Sequence, residues 1–167
     1  MRKAPAIPAG VNQRANVVMT PEEVQAYLHS QSQVAFCTLR SDGSIHAVAM
    51  AYGFLQDGRI AFEAKAKSQK IKNLLGNPTL TILCFDGEEY EELRGVQLSG
   101  KGQVSDDPDL LLECVKSVYE RSFGPVENAS PEELDQMVRG RVTVTIDIDR
   151  TVSWDHHKLL WADDGSK

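Results

Sequence analysis

The sequence predicts a mainly β domain with inserted helices (α+β), in which about six antiparallel strands form a small barrel. Three observations predict it. β-rich runs are joined by Asp-Gly pairs at Asp42-Gly43, Asp57-Gly58 and Asp86-Gly87, and Asp-Gly between apolar runs signals a tight hairpin because glycine adopts positive φ without penalty. Arg141 to Asp149 alternates strictly, with Val142, Val144, Ile146 and Ile148 on one face and Thr143, Thr145, Asp147 and Asp149 on the other, the period of a strand. Two Ser/Thr-Pro-Glu-Glu segments, beginning at Thr20 and Ser130, read as capped helix starts set among the strands. At 167 residues, 41% hydrophobic and 25% charged, the chain has the size and composition of one globular domain with a real core.

Taken in order, residues 1–18 hold Pro5, Pro8 and Gly10 without periodicity and are expected to form an extended arm. The barrel domain is expected over 19–160, with 161–167 as a tail. Thr20 caps a helix that runs to about Ser30. Val34 to Leu39 is a strand, and Ser41-Asp42-Gly43 turns it into a long strand over Ile45 to Phe54. Asp57-Gly58 leads into Arg59 to Ala64. Ser68 to Leu75 reads as a short helix stopped by Gly76-Asn77-Pro78. Thr79 to Phe85 is a strand, and Leu93 to Ser105 another, with glycines at 95, 100 and 102 as sites for a bend. Pro108 to Ser122 is a helix capped by Asp106 or Asp107. Ser130 starts a helix that ends near Arg139, and the alternating strand follows.

The net charge of −6 argues against a nucleic-acid or anionic-membrane partner, since those need a basic surface. The three cysteines, Cys37, Cys84 and Cys114, have neither disulfide-framework nor zinc spacing. No apolar run is long enough to span a bilayer, and the first residues lack a secretory h-region, so a cytoplasmic protein is expected.

Within this acidic chain one segment is positive: Glu63-Ala64-Lys65-Ala66-Lys67-Ser68-Gln69-Lys70-Ile71-Lys72. A cluster of lysines is often only a solvated helix face. Here it falls where a strand ends and a helix begins. Unpaired backbone N–H groups at a helix start attract anions, and lysines with a serine hydroxyl complete a phosphate cradle. Elsewhere, Gly100-Lys101-Gly102 lacks the third glycine and the strand-to-helix context of a dinucleotide fingerprint. Ser99, Ser105 and Cys114 have no partnered histidine in sequence. His156 and His157, expected on an extended segment, would point to opposite sides and so are poorly placed to share a metal ion.

Phe62-Glu63-Ala64, Ser68-Gln69-Lys70 and Asn77-Pro78 followed by a strand resemble the flavin-phosphate segment of the pyridoxamine-5′-phosphate-oxidase-like split β-barrels. Asp42 to Met50 resembles that family's second strand, and Ser153-Trp154-Asp155-His156-His157-Lys158-Leu159 resembles the ending of its flavin/deazaflavin branch. The resemblance covers about residues 20–160. It implies a six-stranded antiparallel split β-barrel and a homodimer with two cofactor sites at the subunit interface. Ser68 and Lys70 would hold the cofactor phosphate, with Lys65 and Lys67 as helpers and Glu63, Ala64 and Gln69 around them. His46, Val48, Ala49 and Met50 would lie along the ring, and Trp154 would close over it. Pyridoxamine oxidases carry a phosphate-binding arginine on the second strand, whereas this strand is apolar apart from His46. The resemblance therefore leans to the deazaflavin branch, also because of Tyr90-Glu91-Glu92-Leu93-Arg94-Gly95-Val96. The implied function is hydride transfer between coenzyme F420, with FMN as the alternative, and a small organic substrate. Such a site needs no catalytic side chain, because the cofactor carries the chemistry. The alternatives are an FMN-dependent pyridoxamine-phosphate-oxidase-like enzyme and a non-catalytic flavin- or haem-binding carrier or sensor.

Overall fold

The computed structural model describes residues 12–159. Its helices are α1 (Arg14–Val17), α2 (Pro21–Ser30), α3 (Gln69–Gly76), α4 (Pro108–Phe123) and α5 (Pro131–Val138). Its strands are β1 (Gln33–Leu39), β2 (Ile45–Ala51), β3 (Gly53–Phe54), β4 (Ile60–Lys65), β5 (Thr79–Asp86), β6 (Arg94–Ser105) and β7 (Arg141–Asp155). Local chemistry sets the boundaries. Both capping boxes form, Thr20 with Glu23 and Ser130 with Glu133. Asp107, not Asp106, caps α4 by accepting from the N–H groups of Asp109 and Leu110. The first two Asp-Gly turns put Gly43 at φ +81° and Gly58 at φ +85°, where a side chain would strain the backbone.

The chain forms two compact units. The larger comprises Ser32–Leu83 and Leu98–Arg150; the described residues of the smaller are 12–31, 84–97 and 151–159.

The strand order is β2-β1-β5-β6-β7-β4-β3. The β1–β2, β1–β5, β3–β4 and β4–β7 pairs are antiparallel. There are seven strands instead of six because the strand expected over 45–54 is interrupted at Tyr52. The segment before Tyr52 pairs with β1, and the segment after it pairs with β4. Tyr52 is 1% exposed. Its ring lies 6.2 Å from that of Phe62, which meets Phe36 edge-on at 4.9 Å. Phe36 and Phe62 are both fully buried, so truncating either to alanine is expected to cost about 3–5 kcal/mol.

The two-faced alternation expected for β7 is only partly realised. Thr143 and Thr145 are as buried as Val142, Val144 and Ile146, whereas Ile148 is 50% exposed. Thr145 lies opposite Ala61 and Thr143 opposite Glu63 on β4. Ala61 packs with Cys114 and Val118 of α4. Helix α4 thus covers the face that the alternation assigns to solvent.

In the smaller unit, α1 forms within the stretch expected to be an extended arm, and Val17 is buried; residues 1–11 of that arm lie outside the described residues, as do residue 160 and the tail 161–167. Asp86 accepts hydrogen bonds from Tyr27 Oη, Gln31 Nε2 and the Arg94 guanidinium. β6 shows no break at its glycines. Gly95 instead admits the Trp154 ring, since a Cβ there would lie 2.1 Å from Trp154 Cζ2. The segment 156–158, expected to be extended, is a 3-10 turn in which Asp155 accepts from the His157 N–H.

Candidate functional site

The lysine segment forms a strand-to-helix junction, and it does so tightly. β4 ends at Lys65, whose carbonyl accepts from the Ser68 N–H at 2.9 Å, while the Ala66 N–H is tied to the Gly140 carbonyl at 3.0 Å. Ser68 then takes the extended N-cap conformation, φ −72° and ψ 158°, before α3. Its side chain nevertheless does not cap the helix. Ser68 Oγ is buried and has no hydrogen-bond partner among the described residues. A buried hydroxyl left unpaired costs about 1–3 kcal/mol, and an N-cap serine ordinarily avoids that by bonding its own helix. Lys65 and Lys67 are exposed and Lys70 is half-buried, so three cations lie within three residues of a silent donor at an uncapped helix start. That donor set fits a phosphate or similar anion.

A second unpartnered atom is His46 Nδ1, also buried. His46 stands opposite Thr38, Val48 opposite Phe36 and Met50 opposite Val34, so these three share the inner side with buried β1 residues. Ala49 lies with Ile45 and Ala47 on the outer, exposed side. β2 ends the strand order, so among the described residues no strand covers its other backbone edge.

One polar relay links β1 to α3. Gln69 Nε2 donates to Asn73 Oδ1 at 2.8 Å, and Asn73 Nδ2 donates to Thr38 Oγ1 at 2.9 Å. Asn73 and Thr38 are both buried. Sequence reading missed them, although an asparagine between the apolar Ile71 and Leu74 on a short helix is a detectable signal. A cavity of about 470 Å³ beside this relay is lined by Arg40, Gln69, Lys72 and Asn73 among others.

Glu63 and Ala64 diverge. Ala64 is buried opposite Val142. Glu63 makes an ion pair with Arg141. Burial pushes the Glu63 carboxyl above the usual carboxylate range, against the pull of Arg141 and Lys70. Glu63 and Arg141 line a cleft of about 860 Å³ with the end of α4 and with α5. Nearby, burial pushes the Cys114 thiol up to about 12, with the Glu63 charge adding to it; this cysteine is chemically quiet.

Trp154 belongs to the smaller unit, packed on Gly95. There His156 Nδ1 lies 2.6 Å from the Tyr90 carbonyl and His157 Nδ1 lies 2.8 Å from Asp155 Oδ1. Among the described residues no three His, Cys, Asp or Glu side chains gather as a metal site, and no helix is long and apolar enough to cross a membrane.

The family model for pyridoxamine 5′-phosphate oxidase matches residues 20–155. The chain belongs to the pyridoxamine 5′-phosphate oxidase family. Its fold is the split barrel of that family, which includes oxidoreductases. Among solved structures, a conserved hypothetical protein of Mycobacterium tuberculosis is 38% identical, with TM-score 0.82 over 93% of this chain and 98% of that one. An F420 reductase shares the pyridoxamine-oxidase fold at 22% identity and TM-score 0.58, over 80% of this chain and 98% of its own. The haem storage protein HutZ of Vibrio cholerae does so at 13% identity and TM-score 0.63, over 80% and 94%. No curated protein matches the chain.

Proposed function

We propose that this protein is an oxidoreductase that binds coenzyme F420, with FMN as the alternative, and transfers a hydride between it and a small organic substrate. The observation that carries the reading is Ser68 Oγ, buried and unpartnered at an uncapped helix start among Lys65, Lys67 and Lys70. Those side chains and the first N–H groups of α3 would hold the cofactor phosphate. Asn73 would fix Gln69 beside it. The backbone edge and inner side of β2, with His46, Val48 and Met50, would receive the ring. When bound, the cofactor supplies or accepts the hydride, and the chain's part is to orient it and keep water away. The absence of an arginine from β2 supports F420 over FMN, and the F420 reductase of the same fold is consistent with that choice.

A homodimer with cofactor sites at its interface belongs to the same proposal. Its support is the outer row of β2, where Ile45 is 66% exposed and is followed by exposed Ala47 and Ala49; an apolar row on an uncovered edge strand invites a partner.

The test is an absorbance titration of the purified protein with F420, FMN and haem in turn. F420 is expected to bind most tightly, and Lys70→Ala to weaken it by about tenfold, the loss of one charge-assisted contact. Haem binding without either flavin would overturn the enzyme reading. Unchanged affinity in Lys70→Ala would overturn the cradle.

A further inference from the structure

The larger unit holds a second cleft-forming group of residues that the cofactor proposal does not use. Its volume, about 860 Å³, lies in the range that encloses a drug-sized molecule. Its apolar and aromatic lining comprises Val118, Tyr119 and Phe123 of α4 and Met137 of α5. The Tyr119 and Phe123 rings lie 5.3 Å apart at 48°, and Phe123 is still 72% exposed, a large apolar surface left open to solvent.

The charged groups of the cleft are Glu63, Arg121, Glu133 and Arg141, and each is already engaged. Arg141 is paired with Glu63. Arg121 donates its Nε–H to the Tyr52 carbonyl at 3.0 Å and spreads over the Tyr52 and Phe54 rings at 4.7 and 4.9 Å. Glu133 accepts from the N–H and hydroxyl of Ser130 in the α5 capping box. A ligand anion arriving at Arg141 would therefore have to displace a half-buried carboxylate or share its cation, and like charges at such range repel. Aromatic lining beside two carboxylates and two guanidinium groups that sum to zero charge suits a flat, uncharged molecule.

We propose that this cleft is a binding site for an uncharged aromatic small molecule, and that Glu63 sets its preference by masking Arg141. This goes beyond the cofactor reading and does not rest on it.

Two fluorescent probes that differ by one sulfonate test it. Neutral N-phenyl-1-naphthylamine and anionic 1-anilinonaphthalene-8-sulfonate are titrated separately into flavin-free protein. The neutral probe is expected to bind wild type about tenfold more tightly than the anionic one, the size of one unfavourable charge contact. Phe123→Ala, at an exposed position, is expected to weaken the neutral probe by about fivefold through lost ring contact. Glu63→Gln should raise the affinity for the anionic probe by about tenfold, and adding Arg141→Gln should reverse that gain. Preference of wild type for the anionic probe, or indifference of the neutral probe to Phe123→Ala, overturns the proposal, even if Glu63→Gln fails to fold. An anionic affinity unmoved in a folded Glu63→Gln protein overturns the role of Glu63. Neither titration uses a flavin, so failure here leaves the cofactor titration standing.

Discussion

Replacing Ser68 with alanine separates a structural serine from a ligand-binding one by the signs of two effects. A serine that caps its helix is worth about 0.5–2 kcal/mol, lost on substitution. Ser68 occupies the N-cap of α3 but makes no cap bond, and its hydroxyl is buried without a partner. Removing that hydroxyl relieves a desolvation cost of about 1–3 kcal/mol, partly offset by the space it vacates. The flavin-free protein is therefore expected to gain about 1 kcal/mol, which for a chain of this size raises Tm by about 2–4 °C. Cofactor affinity should move the other way, falling about tenfold, or about 1.4 kcal/mol, because the bound phosphate loses a donor. Chemical denaturation of the flavin-free protein and an absorbance titration with F420 and FMN read the two effects. A loss of stability of 1 kcal/mol or more in the flavin-free protein would make Ser68 an ordinary cap. Unchanged affinity for both cofactors would remove it from the site.

Three further outcomes follow from the same geometry. Asn73→Ala breaks a buried relay and leaves Thr38 and Gln69 without their partner, so denaturation should register a loss of about 2–3 kcal/mol, while Asn73→Asp should fare worse still. Gly95→Ala drives a Cβ into the Trp154 ring and should cost about 1–3 kcal/mol as overpacking, and Trp154→Phe in the same chain should recover part of it. Partial burial raises the Asp86 carboxyl, but the Arg94 hydrogen bond and charge, with Tyr27 and Gln31, carry it net below its ordinary value. A carboxyl whose folded-state value is lowered stabilises the fold above its unfolded value and loses that contribution as pH falls through the folded one. Asp86→Asn should therefore flatten the stability profile below about pH 4, the ordinary carboxylate value, by no more than about 1 kcal/mol given its partial exposure.

Most elements were legible because their signals are local. Asp42-Gly43 and Asp57-Gly58 specify turns through glycine's φ, and Thr20 and Ser130 specify helix starts through contacts three residues away. The strand-to-helix junction that carries the proposed cradle was legible for the same reason, since Lys65, Ser68 and Lys70 are neighbours in the chain. What escaped depends on distant partners. Nothing near Arg141 announces Glu63, its ion-pair partner across the β4–β7 pair. Likewise the burial of Thr143 and Thr145 is decided by α4, which supplies a second covered face that alternation alone cannot foresee. The glycines of β6 read as bends, yet Gly95 answers to a tryptophan contributed by another strand.

The interruption at Tyr52 also constrains how the sheet can assemble. The strand order starts at β2 and finishes at β3, yet only Tyr52 separates those strands in the chain. The hydrogen-bonded series is thus a loop whose last link is covalent. A one-residue slip of β2 along β1 would turn Ile45, Ala47 and Ala49 inward and pull Tyr52 from between its aromatic neighbours. It would also drag β3 out of step with β4. The two ends of the series must therefore adopt their pairings together, and amide exchange at β2 and β3 should open as one cooperative unit.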